Sequence, residues 1–306
     1  MKSLNDLTVI IVTFNTPRKV ILDCLNSINK NVNILIVENS DFFNEQDLVS
    51  TKFPNVKVVC TGENLGYGKG NNFGINHVET DYVLILNPDV TCEDKFFTNI
   101  ITVVNKAEDF TIIGCQYLSD NIFMPAGFFD ENQNNTFIKD FKNNNIKPLS
   151  VVEWVTGCSM LINLKKFSNK NIFDKNFFLY FEEFDLCKSI IKSGGKIYTS
   201  SELKIHHLGF RSSLSENKIE NLKIINLKDW HYMWSSFYFY KKNYNFIYAL
   251  GKLSGKFFKS FFKMIFFTII FQKNDKNKYL YRFLGLLNSI MGKPSSYRVN
   301  KLDKLN

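Results

Sequence analysis

The chain has 306 residues, of which 45% are hydrophobic, 31 of them Phe and 13 Tyr, so it can bury a large core and carry one domain with an appendage. Six scattered cysteines (Cys24, Cys60, Cys92, Cys115, Cys158 and Cys187) show no C-x-x-C spacing, which argues against a zinc site and a disulfide framework and suits a reducing compartment. The net charge of +9 is unevenly spread: residues 241–306 hold 14 Lys/Arg against 2 Asp/Glu, net +12, leaving 24 against 27, net −3, in residues 1–240.

Thr8–Thr13 is a β-branched apolar run and predicts a buried strand, and the polar Met1–Leu7 before it predicts no signal peptide. Pro17 stands where a helix can start, with Val20, Ile21, Cys24, Leu25 and Ile28 at helical spacing. Val32–Val37 and Val56–Cys60 predict further strands. Gly66–His77 reads as a Gly/Asn-rich turn entering a helix, Tyr82–Leu86 as a fourth strand, and a helix is expected from about Glu93. This alternation implies a mostly parallel sheet covered on both faces. Gly114–Val151 reads as irregular, with order returning at Val152–Asn163. Glu182–Ser193 predicts a helix ending at Gly194-Gly195, followed by short strands at Lys196–Tyr198 and Leu203–His206.

From about Lys218 the chain changes to long aromatic helices. Lys252, Lys256, Lys259 and Lys263 fall on one helix face, with Phe257, Phe258, Phe261, Phe262, Ile265 and Phe266 over the remainder. The longest apolar stretch, Met264–Phe271, is far shorter than the ~20 residues of a spanning helix. The expected partner of this tail is therefore an anionic membrane surface rather than nucleic acid, with the helix lying in the interface. The alternative is a helix packed on the body or on a partner in a homodimer, with the lysines in water. Trp230, His231, Tyr232 and Trp234 read as core or interfacial aromatics.

Four strand ends deliver polar groups: Thr13-Phe14-Asn15, Glu38-Asn39-Ser40-Asp41, the segment Asn64 to Gly74, and Asn87-Pro88-Asp89. In a parallel sheet all four lie along one edge, where open α/β sheets bind ligands. The glycine-rich segment is neither a phosphate-binding P-loop, since Lys69 lacks the following Ser/Thr, nor a dinucleotide fingerprint, since it follows the third strand.

This ordered set, Val12-Thr13-Phe14-Asn15, Val37-Glu38-Asn39-Ser40, Asn64-x-Gly66-x-x-x-Gly70-x-Asn72-x-Gly74 and Leu86-Asn87-Pro88-Asp89, resembles the family 2 glycosyltransferases. Within the family it is most similar to the rhamnosyltransferase-like branch of bacterial polysaccharide synthesis, whose later signatures are matched by Tyr180-Phe181-Glu182-Glu183-Phe184-Asp185-Leu186 and by His206-His207-Leu208-Gly209-Phe210-Arg211-Ser212. The resemblance covers roughly residues 6–215 and extends to the aromatic, basic C-terminal region.

The resemblance implies a GT-A fold, an α/β open sheet with flanking helices, over residues 1–217, with a nucleotide-binding half of about 1–115 and an acceptor-binding half of about 116–217. Residues 218–306 would form the helical, basic, membrane-associating region. It implies an inverting, metal-dependent transfer of a sugar, rhamnose from dTDP-rhamnose or a sugar from a UDP-sugar, to a lipid-linked or polysaccharide acceptor at the cytoplasmic leaflet. Thr13, Phe14, Asn15 and Glu38 would contact base and ribose, and Asn64, Gly66, Gly70, Asn72 and Asn87 would line the nucleotide-sugar pocket. Asp89 would bind Mn2+ or Mg2+, with His207 or its neighbour His206 completing the metal site. The general base would come from Glu182, Glu183 and Asp185; Glu183 takes the position of the family's Asp, and Asp185 is the second choice. The sequence departs from the family at Glu38 and Glu183, each in place of Asp, at Asn87 in place of an acidic residue, and at Lys188 in place of Arg. Two other activities are weighed beside this one: a sugar-nucleotide nucleotidyltransferase, which would carry a glycine-rich basic loop after the first strand, and a non-catalytic membrane-attached glycan-binding protein.

Overall fold

The computed structural model describes residues 1–117, 125–143, 145–207 and 218–298. By packing, the chain forms two compact units, one of Met1–Asp174 with Leu186–Leu214, the other of Lys175–Asp185 with Ser215–Asn306.

The first unit begins with alternating strands and helices: β1 (Leu7–Thr13), α1 (Arg18–Asn26), β2 (Asn33–Glu38), α2 (Gln46–Lys52), β3 (Val56–Cys60), α3 (Tyr67–Asn76), β4 (Tyr82–Leu86), β5 (Val90–Cys92) and α4 (Phe96–Lys106). There follow β6 (Phe110–Tyr117), β7 (Ala126–Gly127), α5 (Glu131–Lys142), β8 (Leu149–Val152), β9 (Trp154–Val155), β10 (Ser159–Asn163), α6 (Glu182–Lys192), which belongs to the first unit from Leu186 on, and β11 (Lys196–His207). The main sheet runs β3-β2-β1-β4-β10-β6-β11-β5, with β8 beside β11. Its first four strands are parallel, in the register Thr13 opposite Glu38 and Leu7 opposite Tyr82. Nearly every residue of β1 and β4 is buried, as expected of strands covered on both faces.

Helix α3 lies unusually close to β1 and β2 because it carries glycine where it touches them. A Cβ at Gly70 would come 2.9 Å from Val12 Cγ1, and one at Gly74 would come 2.8 Å from Ile10 Cγ2 and 2.9 Å from Val37 Cγ2. α4 buries Phe96, Phe97, Ile100, Val103 and Val104 against the opposite face of the sheet core.

Three expectations need correction. The span 114–151 is not irregular in its described parts: β6, β7, α5 and β8 occupy it. α5 was hidden by its composition, since ENQNNTFIKDFK buries only Phe137 and depends on an Asp130 cap that accepts from the Gln133 amide at 2.9 Å. The two short strands after α6 are one strand, β11, whose pairing with β6 slips between Ser200 and Lys204. The helix expected near Glu93 starts at Phe96, because Val90–Cys92 first pairs with the end of β11.

The second unit holds α7 (Lys218–Asn243), α8 (Phe246–Ile269) and α9 (Lys273–Ile290) around Met233, Phe237, Ala249, Leu253 and Leu286. Trp230, His231 and Trp234 are buried, whereas Tyr232 is exposed. The segment before α6 packs here: Ser235 Oγ donates to the Leu179 carbonyl at 2.8 Å, and the Phe177 and Tyr238 rings meet at 4.9 Å. The four lysines of α8 do not all point to water. Lys252, Lys256 and Lys259 are exposed, Lys256 with its ammonium over the Tyr232 ring, while Lys263 is half-buried and donates to the Tyr279 hydroxyl at 3.1 Å. Among the described residues, no helix is long and apolar enough to cross a membrane.

Candidate functional site

The parallel half of the sheet carries the ends of β1, β2, β3 and β4 to one edge, so the polar groups that follow them converge. Glu38, the last residue of β2, is buried, with its carboxylate held at both oxygens: Thr13 Oγ1 donates to Oε2 at 2.5 Å and Ser40 Oγ to Oε1 at 2.7 Å. Phe14 is half-buried, and Asn15 is exposed with φ +50°, a left-handed turn that Asn tolerates and that ends β1 sharply.

The β3–α3 connection is tied to the same edge. Asn39 donates from Nδ2 to the Gly66 carbonyl at 3.0 Å, and the Asn64 side chain accepts from the Gly66 amide at 3.0 Å. Gly66 needs its missing side chain, since its φ is +80°, and no side chain caps the helix it opens. A helix N-terminus facing this edge favours an anion. Gly70 serves the close approach of α3 to Val12 and Asn39 rather than an open surface. Asn72 is also committed: its amide donates to the Phe173 carbonyl at 2.8 Å and accepts from the Phe173 amide at 3.0 Å, which anchors that segment to α3.

After β4 the chain turns at Asn87, whose carbonyl accepts from Val90 N at 3.1 Å and whose amide donates to Cys158 O at 2.9 Å. The turn presents Asp89, only 2% exposed, and β5 then pairs antiparallel with β11 so that His207 stands opposite Val90. His207 Nε2 is 3.4 Å from Asp89 Oδ1, and its ring lies 5.8 Å from that of Tyr117. Tyr117 is itself held by hydrogen bonds with Thr156 and Cys158. His206 points to the other side of β11, as strand alternation requires, and contacts Glu93 Oε1 at 2.9 Å. The structure thus brings His207 to Asp89 and takes His206 away. Among the described residues no three His, Cys, Asp or Glu side chains gather into a cage for a cation. One carboxylate and one imidazole nitrogen suit a divalent ion whose remaining positions are filled by oxygens of a bound diphosphate or water. The nearby Cys24 thiol is pushed up by burial first and then by the Asp89 charge, so it stays protonated. Leu208, Gly209, Phe210, Arg211 and Ser212 lie outside the described residues.

The acidic helix start belongs to the second unit and is built differently. Two residues with left-handed backbone, Tyr180 at φ +71° and Phe181 at φ +68°, lead into α6. Bulky residues adopt this conformation at a cost that surrounding contacts must offset, and such strain gathers at functional sites. Here Phe181 packs on Tyr232 at 5.6 Å and on Phe239 at 5.5 Å. Glu182 is 3% exposed, and its Oε2 has no hydrogen-bond partner among the described residues. Burial raises the Glu182 pKa well above the usual carboxylate range, with the Glu183 charge adding to it. Glu183 is half-buried, and desolvation lifts its pKa to about 7. Asp185 is held by Lys242 Nζ at 2.6 Å and Asn243 Nδ2 at 2.8 Å.

The partners of these residues were out of reach of sequence reading. Tyr117, Thr156 and Cys158 form the support behind His207, yet they come from an irregular-looking stretch and the segment after β9. Lys242 and Asn243 sit at the end of α7, where the lysine pair reads as ordinary helix-end charge.

A family model described as Glycosyl transferase family 2 matches residues 8–164. The chain is similar to rhamnosyltransferase WbbL of Escherichia coli strain K12, 26% identical over 204 residues that cover 59% of this chain and 74% of that protein. It is 25% identical to the low-salt glycan biosynthesis hexosyltransferase Agl10 of Haloferax volcanii, covering 60% of this chain and 61% of that one. It is 22% identical to the N-acetylglucosaminyl-diphospho-decaprenol L-rhamnosyltransferase of Mycobacterium tuberculosis, covering 58% of this chain and 66% of that one. Among solved structures it resembles the mannosyltransferase PcManGT from Pyrobaculum calidifontis, in complex with GDP-Man and Mn2+, with a TM-score of 0.53 at 11% identity over 96% of this chain and 90% of that chain. It also resembles GalNAc-T7 with UDP, GalNAc and Mn2+, with a TM-score of 0.51 at 11% identity, over 81% of this chain but only 56% of that one. At such identities the structures show a common GT-A fold and nothing finer. The family match runs from β1 past β10, more than half of the chain, and the chain therefore belongs to glycosyltransferase family 2.

Proposed function

We propose that the chain is an inverting, metal-dependent transferase that moves a sugar from a nucleoside diphosphate to a lipid-linked or polysaccharide acceptor in cell-surface glycan synthesis. Two rhamnosyltransferases among its relatives favour dTDP-rhamnose as donor, with UDP-sugars next. The observation that carries the reading is the shared sheet edge, to which the parallel strands bring the Glu38 carboxylate, clamped by Thr13 and Ser40, the Asp89–His207 pair and the N-terminus of α3.

In this reading Glu38, Thr13 and Asn15 take the base and ribose, while Asn64, Gly66 and Asn87 shape the diphosphate pocket. Asp89 and His207 hold Mn2+ or Mg2+, which neutralises the charge that develops on the leaving diphosphate. Glu183 removes the acceptor proton as the hydroxyl attacks the anomeric carbon from the face opposite the leaving group. A carboxylate of pKa about 7 suits that task, since a substantial share of it is ionised near neutrality and the ionised form is more basic than an ordinary carboxylate. Asp185 is neutralised by Lys242, which favours an anchoring role for it. A single inverting displacement needs no covalent nucleophile. Residues up to about 115 serve the donor and about 116–217 the acceptor. Residues 218–306 attach the enzyme to the anionic cytoplasmic face of a membrane. The nucleotidyltransferase alternative is disfavoured by the absence of glycine between Thr13 and Lys19.

A thermal-shift panel of dTDP-rhamnose, UDP-sugars and GDP-mannose, each with and without Mn2+, tests the reading. A metal-dependent rise in melting temperature with a dTDP- or UDP-sugar is the expected result, and no response to any of them rejects it.

A further inference from the structure

The outer side of α8 is as apolar as its inner side. Phe258, Phe262, Ile265 and Ile269 recur at spacings of four, three and four, so they form one ridge along the helix. They are 56%, 63%, 41% and 67% exposed, and Phe271, just past the helix end, is 92% exposed. The core residues of the same helix, Ala249 and Leu253, face the other way, into the cluster with Met233, Phe237 and Leu286. Contiguous exposed aromatic surface of this kind marks a surface that is covered in use.

Charge selects what covers it. The ridge lies in a segment, residues 241–306, with a net charge of +12. A second copy docking ridge to ridge would bring two such charges together, whereas an anionic surface would offset them. Lys252, Lys256, Lys259 and Lys263 fall along one flank of the ridge, between its exposed and buried sides; Lys256 and Lys263 turn to Tyr232 and Tyr279, while the exposed Lys252 and Lys259 can lay their stems on apolar surface and extend their ammonium heads to phosphates. The helix is not apolar enough to span a bilayer, so it must lie in the plane of the interface.

We infer that the Phe258–Phe262–Ile265–Ile269 ridge, with Phe271 just past the helix end, is the face by which the helical unit inserts into the headgroup layer of an anionic bilayer. This rests on the reading that residues 218–306 attach to a membrane, and it adds the face and the depth: apolar insertion, with the lysine row as its charged margin.

Co-sedimentation of the full chain with phosphatidylcholine vesicles, with and without phosphatidylglycerol, tests it. Two variants, Phe258→Ser/Phe262→Ser and Ile265→Ser/Ile269→Ser, change only exposed positions, and unchanged circular-dichroism melts check that they fold. The wild-type chain is expected to bind the phosphatidylglycerol vesicles, and each double variant to lose about a hundredfold in partitioning, as loss of two inserted side chains implies. The nucleotide-sugar thermal shift should stay unchanged in both variants. Equal binding by variants and wild type would overturn the ridge while leaving charge-driven attachment standing. No binding by the wild-type chain would overturn the membrane reading itself. A dimer in analytical ultracentrifugation that the variants lose would make a second copy the occupant instead.

Discussion

His207 Nε2 lies 3.4 Å from Asp89 Oδ1, although one residue follows β4 and the other ends β11, far apart in the chain. The meeting is a consequence of strand pairing: β5 follows Asp89 directly, and its antiparallel register with β11 sets His207 opposite Val90. Asp89 is 2% exposed and His207 27%, so the carboxylate is fixed while the imidazole reaches toward the open side. The Tyr117 ring, pinned by Thr156 and Cys158, limits where that imidazole can turn.

Asp89→Asn should remove metal-dependent binding of a nucleoside diphosphate, by about 100-fold or more in calorimetry with Mn2+. His207→Ala should weaken the same binding by about tenfold, and His206→Ala should leave it unchanged, because His206 faces Glu93 on the other side of the strand. Equal losses at the two histidines would contradict the separation imposed by strand alternation.

Glu183→Gln should keep donor binding and lose transfer by about 100- to 10,000-fold. With its pKa raised to about 7, the wild-type base gains activity as pH rises toward neutrality and reaches a plateau above it. The same shift affects stability in the opposite direction. The folded protein holds this proton more tightly than the unfolded chain, so Glu183 favours folding below the ordinary carboxylate range and that contribution is lost as pH rises to about 7. The neutral Gln variant should therefore melt higher than wild type at pH 8, with the gap closing below about pH 4.5. A pH–rate profile and paired melting curves at the two pH values check both halves.

The legibility of this chain follows burial. β1, β2 and β4 were readable because strands covered on both faces are continuous apolar runs, and the strand-end residues Glu38 and Asp89 were readable because those runs stop at or just before them. α5 and β11 were not, because α5 is polar nearly all round and β11 shifts register near its middle, so neither keeps a clean period. The separation of His206 from His207 is implicit in the alternation of a strand, but only once Leu203 to His207 is known to be strand throughout. Lys242 could not be paired with Asp185 from sequence at all, since no periodic pattern links the two segments that carry them.

That pairing makes a stability prediction. Asp185 is 5% exposed and Lys242 39%, so Lys242→Met leaves a buried carboxylate with Asn243 as its remaining named donor. The expected loss is about 2 kcal/mol, at the lower end for a broken ion pair because the lysine is partly solvated. Asp185→Asn/Lys242→Met should recover most of it, as removing both charges removes the uncompensated one. Urea titration of the single and double variants measures the coupling. The single variant Asp185→Asn should retain far more transfer activity than Glu183→Gln; the reverse order would move the base to Asp185.

The helical unit should also be the acid-sensitive part of the chain. His231, on α7, is fully buried against the segment that follows α9, with Nε2 at 2.8 Å from the Tyr297 carbonyl and Nδ1 at 3.0 Å from Ser295 Oγ. The carbonyl can only accept, so Nε2 carries the proton and Nδ1 takes the hydroxyl's hydrogen bond, which defines a neutral tautomer. Burial is the main cause that lowers its pKa to about 3, and the Arg298 charge works in the same direction. An unfolded chain protonates this imidazole below about pH 6.5, but the folded one does not, so its contribution to stability is complete above that pH and declines as pH falls toward 3. Trp230 and Trp234 flank the site and report on it, with the Trp234 indole donating to the Lys293 carbonyl at 2.9 Å. Tryptophan fluorescence should show a loss of packing between pH 6 and 4. In His231→Gln the amide keeps a donor for Tyr297 and cannot be protonated, so stability at neutral pH should fall by about 1–2 kcal/mol while the acid transition weakens. An acid transition of undiminished size in that variant would assign the sensitivity to other groups.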